Sequence, residues 1–480
     1  MAYALLQEGR LVDAEQLMVR ELQTTEQRYG RGSPEWASAQ CDLGNLLLSS
    51  DQADRAVDCF RSACSGPVPG SPEARKDTLT YRLNLGAVLT MVGRLDEAEA
   101  ELRRNLEERL AFYGRQHPGY AFGLEPLADV LLERGNIREA REAIEETIGN
   151  FWRNGHERVA TALALRAEIV TSEGGNEPLF PGLEQLPDPI VEQMAVTVIN
   201  RTGSHPARDR AVLTDLIPAL EARLGPDHQA TLNALSHLAN TSHDHGDEAG
   251  RVEAIQKVLA SYERQGRAEQ ALMAALGLAM AQSDAHDMDG ALRTYTRART
   301  LAEGTGRPEL SSQVLRNWGL ALSEAGRPVE AEPRLREAVA AADLGNDHEM
   351  LGRARIALGL FLQHQERLAE AQHVVETGLT NLDVAHPDAI VGRSHLSAIA
   401  AGRSCGCGDI HGAIAESFRE FVVGRLPQDL LARLDVTIEN QNFKLDVELR
   451  REPTEDEIAH MNRVIEGATT EFRRRLASVE

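Results

Sequence analysis

The sequence predicts an all-α fold, a right-handed α-solenoid superhelix of stacked antiparallel helix pairs. The first observation is an alanine that recurs every 40 or 42 residues, here called the anchor. Anchors stand at Ala14, Ala56, Ala98, Ala140, Ala291, Ala331, Ala371 and Ala413, with Arg251 as a degenerate copy. A small residue lies twelve positions before each anchor, and in most copies a large apolar residue lies four positions after it. Self-similarity at this period is typical of repeat arrays.

The small and large residues predict how the two helices of one unit pack. Gly86 precedes the anchor Ala98 by twelve positions, and Leu102 follows it by four. A small side chain lets two helices approach closely, and a large one fills the seam beside it. Each unit is therefore predicted to be a helix A, a short turn and a helix B that packs antiparallel on it.

This pattern resembles the tetratricopeptide repeat, in which a Leu-Gly pair precedes an alanine by the same offset. The 42-residue period and the loops make it look more like the kinesin light chain subtype. These loops read F-Y-G-R-Q-H-P (112–118), L-G-P-D-H (224–228), L-G-N-D-H (344–348) and A-H-P-D-A (385–389). The resemblance covers most of residues 1–424 and stops near Pro427. It implies an interaction fold and specifies no partner.

The chain divides into four predicted segments. An N-terminal array spans 1–173, a break rich in proline and glycine spans 174–206, a second array spans 207–424, and C-terminal capping helices span 425–480. The break holds four prolines and three glycines at 174–189, where a helix B is due. It is interpreted as a degenerate repeat, with a hinge or a lid as the alternatives.

The C-terminal segment is predicted to be helical, because Leu430, Leu434 and Ile438 have helical spacing. Residues 443–449 also alternate as a strand would, so a strand is the alternative there. Thr454 and Glu457 form a capping-box signature before a final amphipathic helix. The two helices would either cap the array or mediate self-assembly, and the oligomeric state is left open.

Composition limits the classes of partner. The net charge of −23 argues against nucleic acid, whose phosphates attract a basic surface. No apolar run approaches the ~18 residues that a membrane span needs, so no membrane partner is predicted. Five cysteines in a large helical chain indicate a reducing compartment, and the cytoplasm is the expected location.

No catalytic motif with adequate spacing is present, so the chain is not predicted to be an enzyme or to bind a cofactor. The strongest metal candidate is Cys405-x-Cys407 with His411 and His395. Its ligand set is incomplete for zinc, and a glycine-rich turn is the favoured interpretation, so no metal site is predicted.

The architecture predicts a concave groove lined by the A helices. Its residues are expected 18, 15, 11 and 8 positions before each anchor. They include Asn45, Asn233, Ser236, Asn240, Gln313, Arg316, Arg353 and Gln363. Amides can bond a peptide backbone, and arginine can bond a carboxylate. In the resembled family, groove asparagines hold extended peptides, which makes Asn45 and Asn240 the first candidates.

The leading hypothesis is a non-enzymatic scaffold that binds a peptide or a protein partner in this groove. The alternative is a sensor or regulatory arm of a larger signalling protein that carries a kinase or NTPase domain. That alternative comes from the first repeat, in which Met1-Ala2 falls where the middle of a helix A is expected.

Overall fold

The computed structural model describes residue 5 and residues 10–66, 70–175, 177–203, 205–403, 410–427, 429–439, 442–451 and 453–476. These residues form 21 α-helices, one short 3-10 turn and one two-stranded sheet. They divide into two compact units, Met1–Asp247 (unit 1) and Glu248–Glu480 (unit 2). The described helices include none that is both long and apolar enough to cross a bilayer.

Unit 1 consists of helices that run in chain order. They are α1 (Leu11–Tyr29), α2 (Pro34–Ser49), α3 (Ala53–Ala63), α4 (Pro72–Met91), α5 (Leu95–Tyr113), α6 (Pro118–Glu133), α7 (Ile137–Arg153), α8 (Val159–Glu173), α9 (Asp188–Arg201), α10 (Pro206–Arg223) and α11 (Gln229–Asp244). The 3-10 turn, Leu183–Gln185, lies between α8 and α9. The pairs α2/α3, α4/α5 and α6/α7 each pack together, as predicted.

Unit 2 continues the same arrangement and ends in a different one. Its elements are α12 (Glu248–Arg264), α13 (Ala268–Asp284), α14 (Met288–Thr305), α15 (Pro308–Glu324), α16 (Pro328–Gly345), α17 (His348–His364), α18 (Leu368–Leu379), α19 (Pro387–Ala400), α20 (Ile410–Val423), β1 (Leu431–Glu439), β2 (Asn442–Leu449) and α21 (Glu455–Leu476). The pairs α13/α14, α15/α16, α17/α18 and α19/α20 pack together. The prediction of an all-α helix-pair array is confirmed.

The seam inside each pair depends on the predicted small and large residues. A Cβ atom added to Gly86 would lie 2.5 Å from the side chain of Leu102, and one added to Gly319 would lie 2.6 Å from that of Leu335. The anchor Ala331 is fully buried beside this seam. Helices A and B therefore approach too closely at this point for any side chain larger than hydrogen.

The recurring loop signatures have a direct structural explanation in helix capping. The side chain of His117 accepts a hydrogen bond from the backbone N–H of Gly119 at 2.9 Å, and His386 does the same for Asp388 at 3.1 Å. Asp347 has this role in the L-G-N-D-H loop, where it accepts from Met350 N–H at 2.9 Å. Each cap satisfies an N–H group that the first turn of a helix leaves without an internal acceptor.

The 174–206 break is packed within unit 1. Arg166 on α8 donates to the carbonyl oxygens of Pro178 at 2.9 Å and Leu179 at 3.0 Å, and it also bonds the Glu177 carboxylate at 3.0 Å. Four apolar side chains of the loop are buried: Leu179, Phe180, Leu183 and Leu186. The loop therefore belongs to unit 1, which extends to Asp247.

The prediction of a helix over 429–449 was wrong. β1 and β2 form an antiparallel hairpin in which Leu434 faces Val447, Val436 faces Leu445, and Ile438 faces Phe443. Alternation with β-branched residues places these side chains on one face, which packs on α20 and α21. The helical spacing of the leucines was coincidental. The segment 425–480 thus caps the array with a hairpin and one helix.

The capping box at the start of α21 is confirmed. The backbone N–H of Thr454 donates to Glu457 Oε2 at 2.9 Å, and the N–H of Glu457 donates to Thr454 Oγ1 at 3.3 Å. Arg451 also pairs with the Glu457 carboxylate at 2.6 Å. These hydrogen bonds, first that from Arg451 and then that from Thr454 N–H, lower the pKa of Glu457 to about 2.

We expect Gly319→Ala to lower the free energy of unfolding by about 1–3 kcal/mol, because the added methyl group overlaps Leu335. Gly277→Ala is the matched control, since no atom lies within 4 Å of its Cβ position and the residue is inside α13. Alanine should stabilise that helix by about 0.5–1 kcal/mol. Urea denaturation of both variants would measure the difference, and effects of the same sign would contradict the seam geometry.

The lowered pKa of Glu457 predicts that the N-terminus of α21 loses stability in acid. Its folded pKa lies below the ordinary value, so the ionised carboxylate stabilises α21 above pH ~4.5 and this contribution is lost as the pH falls towards 2. The melting temperatures of the wild type and of Glu457→Gln should therefore differ at pH 6, differ less at pH 2.5 and converge near pH 1.5. Glu466→Gln, on the exposed side of the same helix, is the control. A difference of full size at pH 1.5 would contradict the assignment.

Candidate partner-binding surface

The predicted groove positions lie along one side of the A helices, 18, 15, 11 and 8 residues before each anchor. We call this surface the A-helix face and describe it for each unit separately. In unit 2 it is carried by α13, α15, α17 and α19, and each of these helices packs beside the next. A ladder of parallel helices therefore places equivalent repeat positions side by side.

Two predicted arginines on this face of unit 2 share one carboxylate. Arg353 on α17 donates from Nε to Asp388 Oδ2 at 2.8 Å, and Nη1 of Arg316 on α15 lies 3.5 Å from the same oxygen. Asp388 stands in the first turn of α19. Three successive A helices thus contribute one charged side chain each to a single cluster, the Arg316–Arg353–Asp388 cluster.

The cluster carries an excess of positive charge. The Arg316 side chain is 12% exposed, and within the described residues its Nε is buried without a hydrogen-bond partner. Burial and the neighbouring charge of Arg353 lower the pKa of Arg316, while Asp388 acts in the opposite direction. Among the described residues, Asp388 therefore leaves the bonding of the Arg316 guanidinium group incomplete.

Exposed apolar side chains lie on the same face. Met273 and Met280 on α13 are 44% and 48% exposed and occupy the positions 18 and 11 before the anchor Ala291. Leu320 on α15 lies 11 positions before the anchor Ala331 and is half-buried. Methionine is flexible and adapts to apolar side chains of different shape. The counting rule that selected Gln313 and Arg316 also selects these two methionines. It does not select Asp388, which the sequence analysis assigned to the loop 385–389.

Gln313 is half-buried on α15, whereas Gln363 is not on the surface. Gln363 is 0% exposed; its Nε2 donates to the carbonyl of Arg403 at 3.1 Å, and its Oε1 lies 2.6 Å from His395 Nδ1. It therefore joins α17 to α19 inside the core and was wrongly assigned to the groove. The same contact engages His395, the histidine named in the metal candidate.

The rest of that metal candidate falls outside the description. Cys405 and Cys407 belong to the stretch 404–409, which the structure does not describe, and the side chain of His411 is likewise outside it. Among the described residues, no group of three or more His, Cys, Asp or Glu side chains is arranged to hold a metal ion.

In unit 1, α11 presents the predicted polar residues. Asn233, Ser236 and Asn240 are exposed on it. Asn233 accepts a hydrogen bond from Gln229 at 2.8 Å, and Ser236 donates to the carbonyl of Leu232 at 2.9 Å.

Asn45 has a partly structural position on α2. It is half-buried, and its amide donates to the Cys41 thiol at 3.8 Å, a thiol that Asn84 on α4 also approaches at 3.7 Å. Burial raises the pKa of the Cys41 thiol to about 11. The two asparagines thus join neighbouring A helices through an inert thiol.

Acidic residues on α6 and α8 of unit 1 are neutralised by arginines. Arg201 on α9 pairs with Asp129 at 2.6 Å and also with Glu168. Arg208 on α10 reaches the same Glu168 carboxylate at 3.1 Å. Burial still raises the pKa of Glu168. The acidic residues of α6 and α8 are therefore paired with arginines of α9 and α10, the two helices that follow the loop of the break.

The fold and this surface define an α-solenoid of helix-pair repeats. Residues 77–151 match the family model of the tetratricopeptide repeat. Residues 77–151 are therefore tetratricopeptide repeats, as the sequence predicted, and such repeats indicate a protein-interaction scaffold.

Three solved structures illustrate what the chain is similar to. A putative kinesin light chain of Podosopora anserina with nearly identical TPR-like repeats aligns at 16% identity, covering 49% of this chain and 99% of that one, with a TM-score of 0.33. BtubC (BKLC) from P. vanneervenii aligns at 15% identity over 55% and 92%, with a TM-score of 0.30. A signal transduction ATPase from Pyrococcus horikoshii with a tetratricopeptide repeat sensor aligns at 12% identity over 76% and 49%, with a TM-score of 0.37. No curated protein matches the chain in sequence.

We expect Arg201→Ala to destabilise α8 and α9 by about 3 kcal/mol, because it leaves the buried Glu168 with one cation fewer. Amide hydrogen exchange of the full chain would show faster opening of these two helices. Arg297→Ala, which removes an exposed pair with Glu263, should change local opening by less than about 1 kcal/mol. Equal effects of the two substitutions would contradict the structural role of Arg201.

Proposed function

We propose that the chain is a non-catalytic cytoplasmic scaffold whose A-helix face in unit 2 binds an extended segment of a protein partner. The Arg316–Arg353–Asp388 cluster is the observation that supports this proposal. Two guanidinium groups share one carboxylate there, and one of their N–H groups has no acceptor among the described residues. Such a cluster favours a ligand that brings a further carboxylate.

The chemistry of the partner segment follows from the neighbouring side chains. An acidic side chain, or a terminal carboxylate, would bond Arg316 and Arg353, while apolar side chains would pack on Met273, Met280 and Leu320. Gln313 would bond the peptide backbone through its amide. The surface is formed by packed helices, so binding would order the peptide more than the protein.

The exposed residues of α11 support a second contact area on unit 1. Asn233, Ser236 and Asn240 offer donors and acceptors without charge, which suits a peptide backbone. Asn45 is a weaker candidate, since its amide already approaches Cys41. A regulatory arm of a larger signalling protein would use the same surfaces, with a kinase or NTPase domain as the partner or as a fused part.

Selection from a random peptide library on the immobilised full chain would test the proposal. We expect enriched peptides to carry an acidic group beside apolar residues. The variant Arg316→Gln should bind them about tenfold to a hundredfold more weakly, because a charge-assisted hydrogen bond is lost.

The controls separate binding from folding. Arg316→Gln keeps the bond between Arg353 and Asp388, so its free energy of unfolding should stay within about 1 kcal/mol of the wild type. Arg336→Gln removes an exposed arginine of α16, on the helix B side, that pairs with Glu332 and Glu370. Its peptide affinity should be unchanged. Equal affinities of Arg316→Gln and the wild type would refute the proposed surface.

A further inference from the structure

The C-terminal hairpin leaves one strand without a neighbour. Its sheet consists of β1 and β2 only, so both are edge strands among the described residues. β1 packs on α20, whereas β2 is bonded only to β1 within that sheet. An edge strand directs backbone N–H and C=O groups outward, where another strand can pair with them. A sheet of two strands is also only marginally stable without further packing.

The apolar face of β2 is only partly covered. Phe443 stacks on Phe418 with ring centroids 4.5 Å apart, but Phe443, Leu445 and Val447 all remain half-exposed. On β1, Leu431 and Leu434 are buried, whereas Val436 and Ile438 are partly exposed like the residues of β2. The apolar surface therefore continues to the free edge of the sheet, and a strand added along β2 would extend the cover over it.

The opposite face of the hairpin has an unfavourable charge pair. Asp446 lies directly across from Asp435 in the register of the two strands. The nearby cation Arg433 forms its ion pair with Asp435. Like charges placed opposite each other destabilise a sheet, so a cation supplied at Asp446 from the free side of β2 would stabilise the hairpin.

The sequence of β2 complements a second copy of itself in one register. If two β2 strands pair antiparallel about a two-fold axis at Leu445, Lys444 of each copy lies opposite Asp446 of the other. Phe443 then lies opposite Val447, and Leu445 opposite Leu445. A shift of the axis to residue 444 would place Lys444 opposite itself, and a shift to residue 446 would do the same with Asp446. Only the central register opposes unlike charges and uses nearly the whole strand.

We propose that β2 is a self-association edge, at which two copies of the chain join their hairpins into one four-stranded antiparallel sheet. The partner is a second copy of this chain, and the contact is isologous, so each favourable pair occurs twice. The half-exposed apolar residues of both hairpins lie on the same side of the joined sheet. In this register Lys444 of each copy lies opposite Asp446 of the other, so each copy brings a cation to the free side of the Asp435–Asp446 pair.

Sedimentation equilibrium of the full chain tests this proposal. The wild type should reach twice the 52.6 kDa of one chain. Lys444→Glu and Asp446→Lys should each weaken the dimer about tenfold or more, because each replaces two attractions by two repulsions. An equimolar mixture of the two single variants should form dimers again, because each acidic side chain at these two positions of one chain then faces a basic side chain of the other.

The mixture separates self-association from folding, since a misfolded hairpin cannot be rescued by another misfolded hairpin. Glu448→Lys is the matched control, with the same charge change on the same face; it would lie opposite Asn442 and should leave the dimer within about twofold. A monomeric wild type would overturn the proposal. So would single variants that dimerise as well as the wild type, or a mixture that stays monomeric.

Discussion

The close approach of helix A and helix B at each anchor is the constraint on which the array depends. At Gly319 and Gly86 the partner side chain, a leucine, occupies the space that a Cβ would need. This contact fixes the distance between the two helices of a pair, and the pair is the unit that stacks. The spacing of the A helices along the chain follows from it, and so does the side-by-side position of Arg316, Arg353 and Asp388.

Most of the fold could be predicted from the sequence because its signals are local and repeated. An anchor, a small residue and a large residue recur at fixed offsets, so an error in one copy is corrected by the others. The hairpin has no such redundancy. Leu434 and Ile438 fit the helical period, and they fit the strand period as well. The pairing of β1 with β2 and its packing on α20 distinguish the two.

The candidate surface could be predicted in position but less well in role. Counting from the anchor selected Arg316 and Arg353, which share the Asp388 carboxylate. It also selected Gln363, which is buried and contacts His395. A repeat position specifies a direction from the helix axis, and it does not specify how far the next helix covers that direction. The pairing of Arg316 and Arg353 with Asp388 could not be predicted from the sequence either, because Asp388 lies on a third helix.

The contacts of Arg166 show how a helix array can accept a segment of altered length. One cation on α8 bonds two loop carbonyls and a carboxylate, so a segment of altered length remains part of the stack. The sequence period ends at residue 174, although helix packing in unit 1 continues through α9 and α10 to α11. Periodicity and physical continuity are separate properties. Here the hydrogen bonds of Arg166 and the buried apolar side chains of the loop maintain the packing where the sequence period is lost.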